Sequence, residues 1–84
     1  MPDTVIVTIR LGVDEADFEL PTKIPFGQWQ EALGQTLRMN FHGLRLEGRR
    51  IWLQWQNRKI PVEATLEQCG VYDGSVLMLD LEVI

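Results

Sequence analysis

The stretch TLEQCGVYDGSVLMLDLEV, Thr65 to Val83, decides how the chain folds. Thr65 opens a brief helical turn through Leu66 and Cys69. Gly70-Val71-Tyr72-Asp73-Gly74 is dense in turn residues, so the chain changes direction there. From Ser75 to Val83 the pattern alternates, with Leu77, Leu79, Leu81 and Val83 on one face and Met78 and Asp80 on the other. A period of two over nine mostly apolar residues predicts the last and longest strand, with one face in the core.

Working back toward the N-terminus, Ile51 to Gln56 reads IWLQWQ. Ile51, Leu53 and Trp55 share one face of a strand, and Trp52 and Gln54 share the other. Asn57-Arg58 predicts a short turn into Lys59-Ile60-Pro61-Val62. Pro61 cannot donate to a ladder, so this segment is a short edge strand. Phe41 to Arg50, with Gly43 and Gly48, reads as a loop. Phe26, Trp29, Leu33 and Leu37 fall at helical spacing and predict a helix from Phe26 to Met39. Thr22 is its expected N-cap, Pro25 lies in its first turn, and Asn40 marks its end. Gly27 and Gly34 weaken that helix by up to about 1 kcal/mol each, so packing has to hold it. At the front, TVIVTIRL (Thr4 to Leu11) alternates as a first strand, Gly12 to Glu15 supplies turn chemistry, and ADFEL (Ala16 to Leu20) completes a hairpin.

The order is β-β-α-β-β-β in one α+β domain spanning residues 1–84. The first and last strands are the most apolar, which predicts that they run parallel at the centre of a mixed five-stranded sheet, with the helix on one face. A domain of 84 residues has about 4–13 kcal/mol of net stability at 0.05–0.15 kcal/mol per residue, little to set against buried strain.

Charge and composition narrow the function. The net charge is −4, which argues against nucleic acid as a partner. Five of the six arginines nevertheless lie between Arg38 and Arg58, a candidate basic patch. One cysteine, Cys69, cannot form an internal disulfide, and a reducing cytoplasm is the expected setting. Met1-Pro2-Asp3-Thr4 runs directly into a strand pattern, so no signal peptide is expected, and no apolar run approaches the ~20 residues of a membrane span.

This order is that of the β-grasp fold, and its last third resembles ubiquitin. A closer resemblance is to the YukD/EsaB-like family, small ubiquitin-like proteins of bacterial type VII (WXG100) secretion. The family pattern of leucine, polar residues, small-Gly-Val/Ile, one residue, Asp/Asn-Gly and an alternating apolar strand is matched by Leu66, Glu67-Gln68, Cys69-Gly70-Val71, Tyr72, Asp73-Gly74 and Val76 to Leu81. The resemblance spans the whole chain in layout and Leu66 to Leu81 in residues. It implies a non-enzymatic cytoplasmic adaptor or regulator that binds protein components of the secretion machinery, without cofactor or metal. The alternative it leaves is a ubiquitin-like domain of a larger membrane component of the same machine. A modifier or carrier role is disfavoured, because the tail reads Leu81-Glu82-Val83-Ile84 where conjugation needs Gly-Gly. The isoleucine at the centre of ubiquitin's own binding patch lines up with Gln54.

Candidate sites follow from the facings. Cys69, beside Gly70 in an apolar turn, reads as a small buried hydrophobe and not as a nucleophile. His42 is a loop histidine without companions for a zinc site. Asp14, Glu15, Asp17 and Glu19 form a solvated acidic hairpin more readily than a cation site. Trp29 and Trp55 are expected in the core. Trp52 points to the other face of the sheet, where Ile6 and Met78 also fall, so these three are expected to form one apolar patch. With Arg10 and Arg50 beside them they are the expected protein-binding residues, since Trp and Arg are the side chains that most often anchor interfaces. A second copy of the chain is a candidate partner.

Overall fold

A computed structural model describes residues 2–84; Met1 lies outside the described residues. Seven elements follow in order: β1 (Thr4–Leu11), β2 (Asp14–Pro21), α1 (Phe26–Asn40), β3 (Arg49–Trp55), β4 (Arg58–Lys59), α2 (Leu66–Cys69) and β5 (Val76–Val83). The strands make one sheet in the order β2-β1-β5-β3-β4, in which β1 and β5 run parallel and the other pairs antiparallel. This is the mixed β-grasp sheet that the alternation predicts, with the two most apolar strands at its centre and α1 across one face.

The turns are tighter than the sequence reading. Leu11 pairs with Asp14, so only Gly12 and Val13 connect the hairpin, and Gly12 takes φ +61 at the first central position. The second strand therefore begins two residues earlier than Ala16. Likewise Trp55 pairs with Arg58, which makes Gln56 and Asn57 the turn in place of Asn57-Arg58. Both adopt positive φ, 53° and 66°, as a two-residue turn between right-twisted strands requires.

Thr22 does not cap α1. Pro25 is the N-cap, and its fixed φ of −55° starts the helix at Phe26. Two of the first free N–H groups are satisfied from outside: Phe26 N–H donates to the Ala64 carbonyl and Gly27 N–H to the Val62 carbonyl, both at 2.9 Å. A Cβ on Gly27 would stand 3.1 Å from Val62 Cβ and 3.2 Å from its carbonyl oxygen, so glycine lets the 62–64 segment lie directly on the helix start. Thr22 is instead buried. Its hydroxyl donates to the Pro2 carbonyl, and its carbonyl accepts from Glu67 N–H at 3.0 Å, joining the N-terminal segment to α2.

The core comprises Val5, Val7, Ile9, Phe18, Leu20, Phe26, Leu33, Leu37, Ile51, Leu53, Leu77 and Leu79, together with Phe41, Ile60, Leu66 and Val71 from the connections. Trp29 and Trp55, expected in the core, lie half-buried at its margin. Trp29 packs edge-on against Phe26 and donates from Nε1 to the Ile24 carbonyl, while Trp55 packs edge-on against Tyr72. Each indole is too large for the space beneath a single helix and keeps one rim in solvent. Their volume in the core is replaced by Phe41, which stacks on Phe18 at 6.2 Å, and by the aliphatic residues of the connections. The supposed loop after α1 thus carries a core anchor.

The Asp-Gly motif before β5 has a specific job. Ile6 N–H donates to Asp73 Oδ1 and the Ile6 carbonyl accepts from Gly74 N–H, both at 2.9 Å. A side chain and a left-handed glycine (φ +87) thereby extend the β1-β5 ladder ahead of the start of β5. Upstream, Thr65 and Gln68 form a reciprocal capping box on α2, and Gly70 closes it in the left-handed conformation.

Candidate functional site

The face of the sheet away from α1 carries no helix. Alternation and register place Ile6, Thr8 and Arg10 of β1, Met78, Asp80 and Glu82 of β5, and Arg50, Trp52 and Gln54 of β3 on it. Met78 stands between Arg10 and Gln54 on the neighbouring strands, and Trp52 is opposite Asp80, one step along. Arg50 is opposite Glu82. Four of the five expected residues, Trp52, Met78, Arg10 and Arg50, are therefore grouped at one end.

Ile6 is not part of that group. Thr8 is level with Val76, which puts Ile6 level with Gly74, whereas Trp52 is level with Asp80. Six residues at about 3.3 Å each separate the two by about 20 Å along the strands. Ile6 (56% exposed) instead shares its end of the face with Val76. The single apolar patch expected from alternation is two patches, with Met78 (40% exposed) nearer to Trp52.

Trp52 is also less open than alternation predicts. β4 has only two residues and ends before reaching it, so the indole folds around the free edge of β3. Its ring lies 6.1 Å from Phe26, tilted by 47°. Nε1 donates to Glu82 Oε1 at 2.9 Å, and Lys59 Nζ sits 4.6 Å from the ring centroid. The ring is held by a hydrogen bond and a cation-π contact, and its outer surface is part of the face. Lys59 was missed in the sequence. The signal was the two-residue turn: once Trp55 pairs with Arg58, Lys59 falls opposite Gln54 and diagonal to Trp52.

The charges on the face are mostly engaged. Arg10 donates from Nε and Nη2 to Glu15 Oε2 at 3.1 and 3.0 Å, and Arg50 Nη1 is 3.9 Å from Glu82 Oε1. The acidic hairpin residues are tied to β1 in the same way, Thr4 donating to Glu19 and Thr8 to Asp17, each at 2.7 Å. No group of three or more His, Cys, Asp or Glu suited to a metal ion occurs among the described residues. Cys69, the last residue of α2, is half-buried, and burial pushes its thiol above the ordinary value, opposite to what an activated nucleophile needs. His42 is exposed on the loop after α1. No helix among the described residues is long and apolar enough to cross a membrane.

Comparison with known proteins agrees with this architecture. The family model described as "WXG100 protein secretion system (Wss), protein YukD" matches residues 4–79. No curated protein matches the chain. Among solved structures, the EccD5 ubiquitin-like domain from Mycobacterium xenopi superposes with a TM-score of 0.80 at 19% identity, covering 99% of each chain. A chain of the MycP5-free ESX-5 inner membrane complex gives a TM-score of 0.75 at 19% identity, and this protein, matched over 99% of its residues, spans 22% of that chain. Caldiarchaeum subterraneum ubiquitin gives 0.66 at 18% identity, covering 96% of each chain. At these identities the structural likeness establishes the fold, ubiquitin-like, and the family rests on the matched model. The chain belongs to the YukD family of the WXG100, or type VII, protein secretion system.

Proposed function

We propose that the chain is a non-catalytic adaptor of a type VII secretion system, working in the cytoplasm and docking a protein of that machinery on the open sheet face around Trp52 and Met78. The observation that carries this reading is the arrangement of Trp52. A large indole lies on a helix-free face, fixed by Glu82 and Lys59, with Met78, Arg10 and Arg50 around it. Pre-fixed aromatic and arginine side chains lose little freedom on association and are the residue types that dominate binding energy.

A second reading has its own support. The match over 99% of an EccD5 ubiquitin-like domain, and over 22% of an ESX-5 membrane-complex chain, favours the same fold serving as a domain of a larger membrane component.

Titration of the purified chain against the purified soluble domains of the membrane and ATPase components from the same source tests the proposal. Trp52→Ala is expected to weaken binding by about 2 kcal/mol, roughly thirty-fold, with the circular dichroism spectrum unchanged. Unaltered binding and an unaltered sedimentation coefficient in that variant would remove the face from both partner docking and self-association.

A further inference from the structure

Beyond the open face, a groove of about 470 Å³ runs between α1 and the free edge of β3. It is lined by Gly34, Leu46 and Ile51, by Arg38, Arg49 and Arg50, and by Glu31 and the last residue, Ile84. Arg50 is shared with the open face and leans toward Glu82. Arg38 and Arg49 are exposed and have no carboxylate within ion-pair distance among the described residues. Two of the four arginines without an ion pair among the described residues thus share one groove of a protein whose net charge is −4; Arg45 and Arg58 lie outside it.

The backbone beside this groove has not finished pairing. β4 covers β3 only at Gln54 and Trp55, with Ile60 N–H reaching the Leu53 carbonyl. Residues two apart point their backbone groups the same way, so Ile51 and Arg49 also face this edge, where the Arg49 N–H is already bonded to the Leu46 carbonyl at 3.0 Å. The Ile51 carbonyl is met by Gln30 Nε2 at 2.6 Å, a side chain standing where a strand would lie. Gln30 is half-buried on α1, and a strand added here would displace its amide from the carbonyl.

We propose that this groove binds an acidic, extended peptide segment of a partner protein, laid along β3 as an added strand. On such a strand every second side chain points to the α1 side, as Arg49 and Ile51 do. Apolar residues there would rest on Ile51 and Leu46, a carboxylate further along the same face would meet Arg38 and Arg49, and the intervening side chains would face the open side. Nucleic acid shares the negative charge. It lacks the main-chain donors and acceptors that match a strand edge and would be repelled by the overall charge of the domain.

The test uses the full 84-residue chain, labelled with nitrogen-15, and a synthetic eight-residue peptide, Ser-Val-Ser-Val-Ser-Glu-Ser-Glu, which carries its Val and Glu residues on one face of an extended strand. Saturable amide shifts are expected at Gly34, Arg49 and Ile51, with none around Met78. The double variant Arg38→Glu/Arg49→Glu is expected to raise the dissociation constant at least tenfold, and Trp52→Ala to leave it within twofold. A Lys and Val control peptide is expected not to bind. Both arginines are exposed, and Arg38→Gln/Arg49→Gln gives the same reading without charge reversal. Shifts confined to the open face, wild-type affinity in both double variants, or tighter binding of an eight-nucleotide single strand would each overturn the proposal. Retention of this binding alongside an unaltered response to Trp52→Ala in the adaptor titration would overturn the open-face reading alone.

Discussion

The two edges of the sheet are built on opposite plans. The β2 edge is eight residues long and bears Asp14, Glu15, Asp17 and Glu19, with the last three tied back to β1 by Arg10, Thr8 and Thr4. Charge along a regular strand is a direct defence against unwanted pairing. The opposite edge has almost no strand. β4 is two residues, and beyond it the Ile51 carbonyl is met by a helix side chain and the Arg49 N–H by the Leu46 carbonyl. One edge repels other strands with charge, and the other is met by a side chain and a loop in place of a strand.

That difference predicts unequal responses to substitution. The largest is expected at Leu53, fully buried at the patched edge: Leu53→Ala should cost about 2–5 kcal/mol in urea unfolding, since no neighbour on β4 can collapse into the cavity. Gly27→Val should follow, at about 1–3 kcal/mol, because its side chain would collide with Val62 and lift the segment that satisfies the helix start. If Gly27→Val instead stabilised the chain, helix propensity would outweigh the contact, and the segment would not be a fixed cover. Gln30→Ala should cost about 1 kcal/mol and speed hydrogen exchange at the β3 edge, whereas Thr4→Val on the charged edge should change stability by less than about 0.5 kcal/mol. Equal effects from those two would erase the contrast between the edges.

The smallest effect concerns Cys69, near the same patched edge. Burial raises its folded pKa above the unfolded value, so the thiol form is favoured by folding. Any stability this provides is fully present below the unfolded pKa and declines as pH rises through the folded one. Iodoacetamide should therefore label Cys69 more slowly in the folded chain than in urea at the same alkaline pH. Equal rates would mean that the α2 turn opens freely.

What the sequence made legible, and what it hid, divides along the same line. Strand alternation located β1, β5 and the inner face of β3, because one buried face fixes side-chain parity over many residues. The Leu66-to-Leu81 pattern identified the family. Parity says nothing about how far a neighbouring strand extends. Pro61 marked β4 as short and at an edge, but not that it stops at Lys59, before Pro61 is reached, and with that end point went the half-burial of Trp52, the contact with Lys59 and the groove under Gln30. The single patch joining Ile6 to Trp52 failed for a related reason: facing was read correctly, but the offset between strands depends on register across β5. Thr22 misled as a cap because Thr and Asp residues ahead of a proline signal a helix start generally, while its hydroxyl was needed by the Pro2 carbonyl. Phe41 was hidden by the glycines after it, which mark a loop without revealing that its first residue turns inward.

The clamp of Asp73 and Gly74 on Ile6 joins residues 67 positions apart, in the middle of the sheet. A contact of such high sequence separation has to wait for nearly the whole chain and for a long loop to close. On a ribosome, the N-terminal hairpin and α1 would emerge with the inner side of β1 unpaired, and an apolar strand edge would stay exposed until the final strand left the tunnel. Asp73→Ala should then slow folding more than it speeds unfolding if the clamp forms in the nucleus, and do the reverse if it is a late lock.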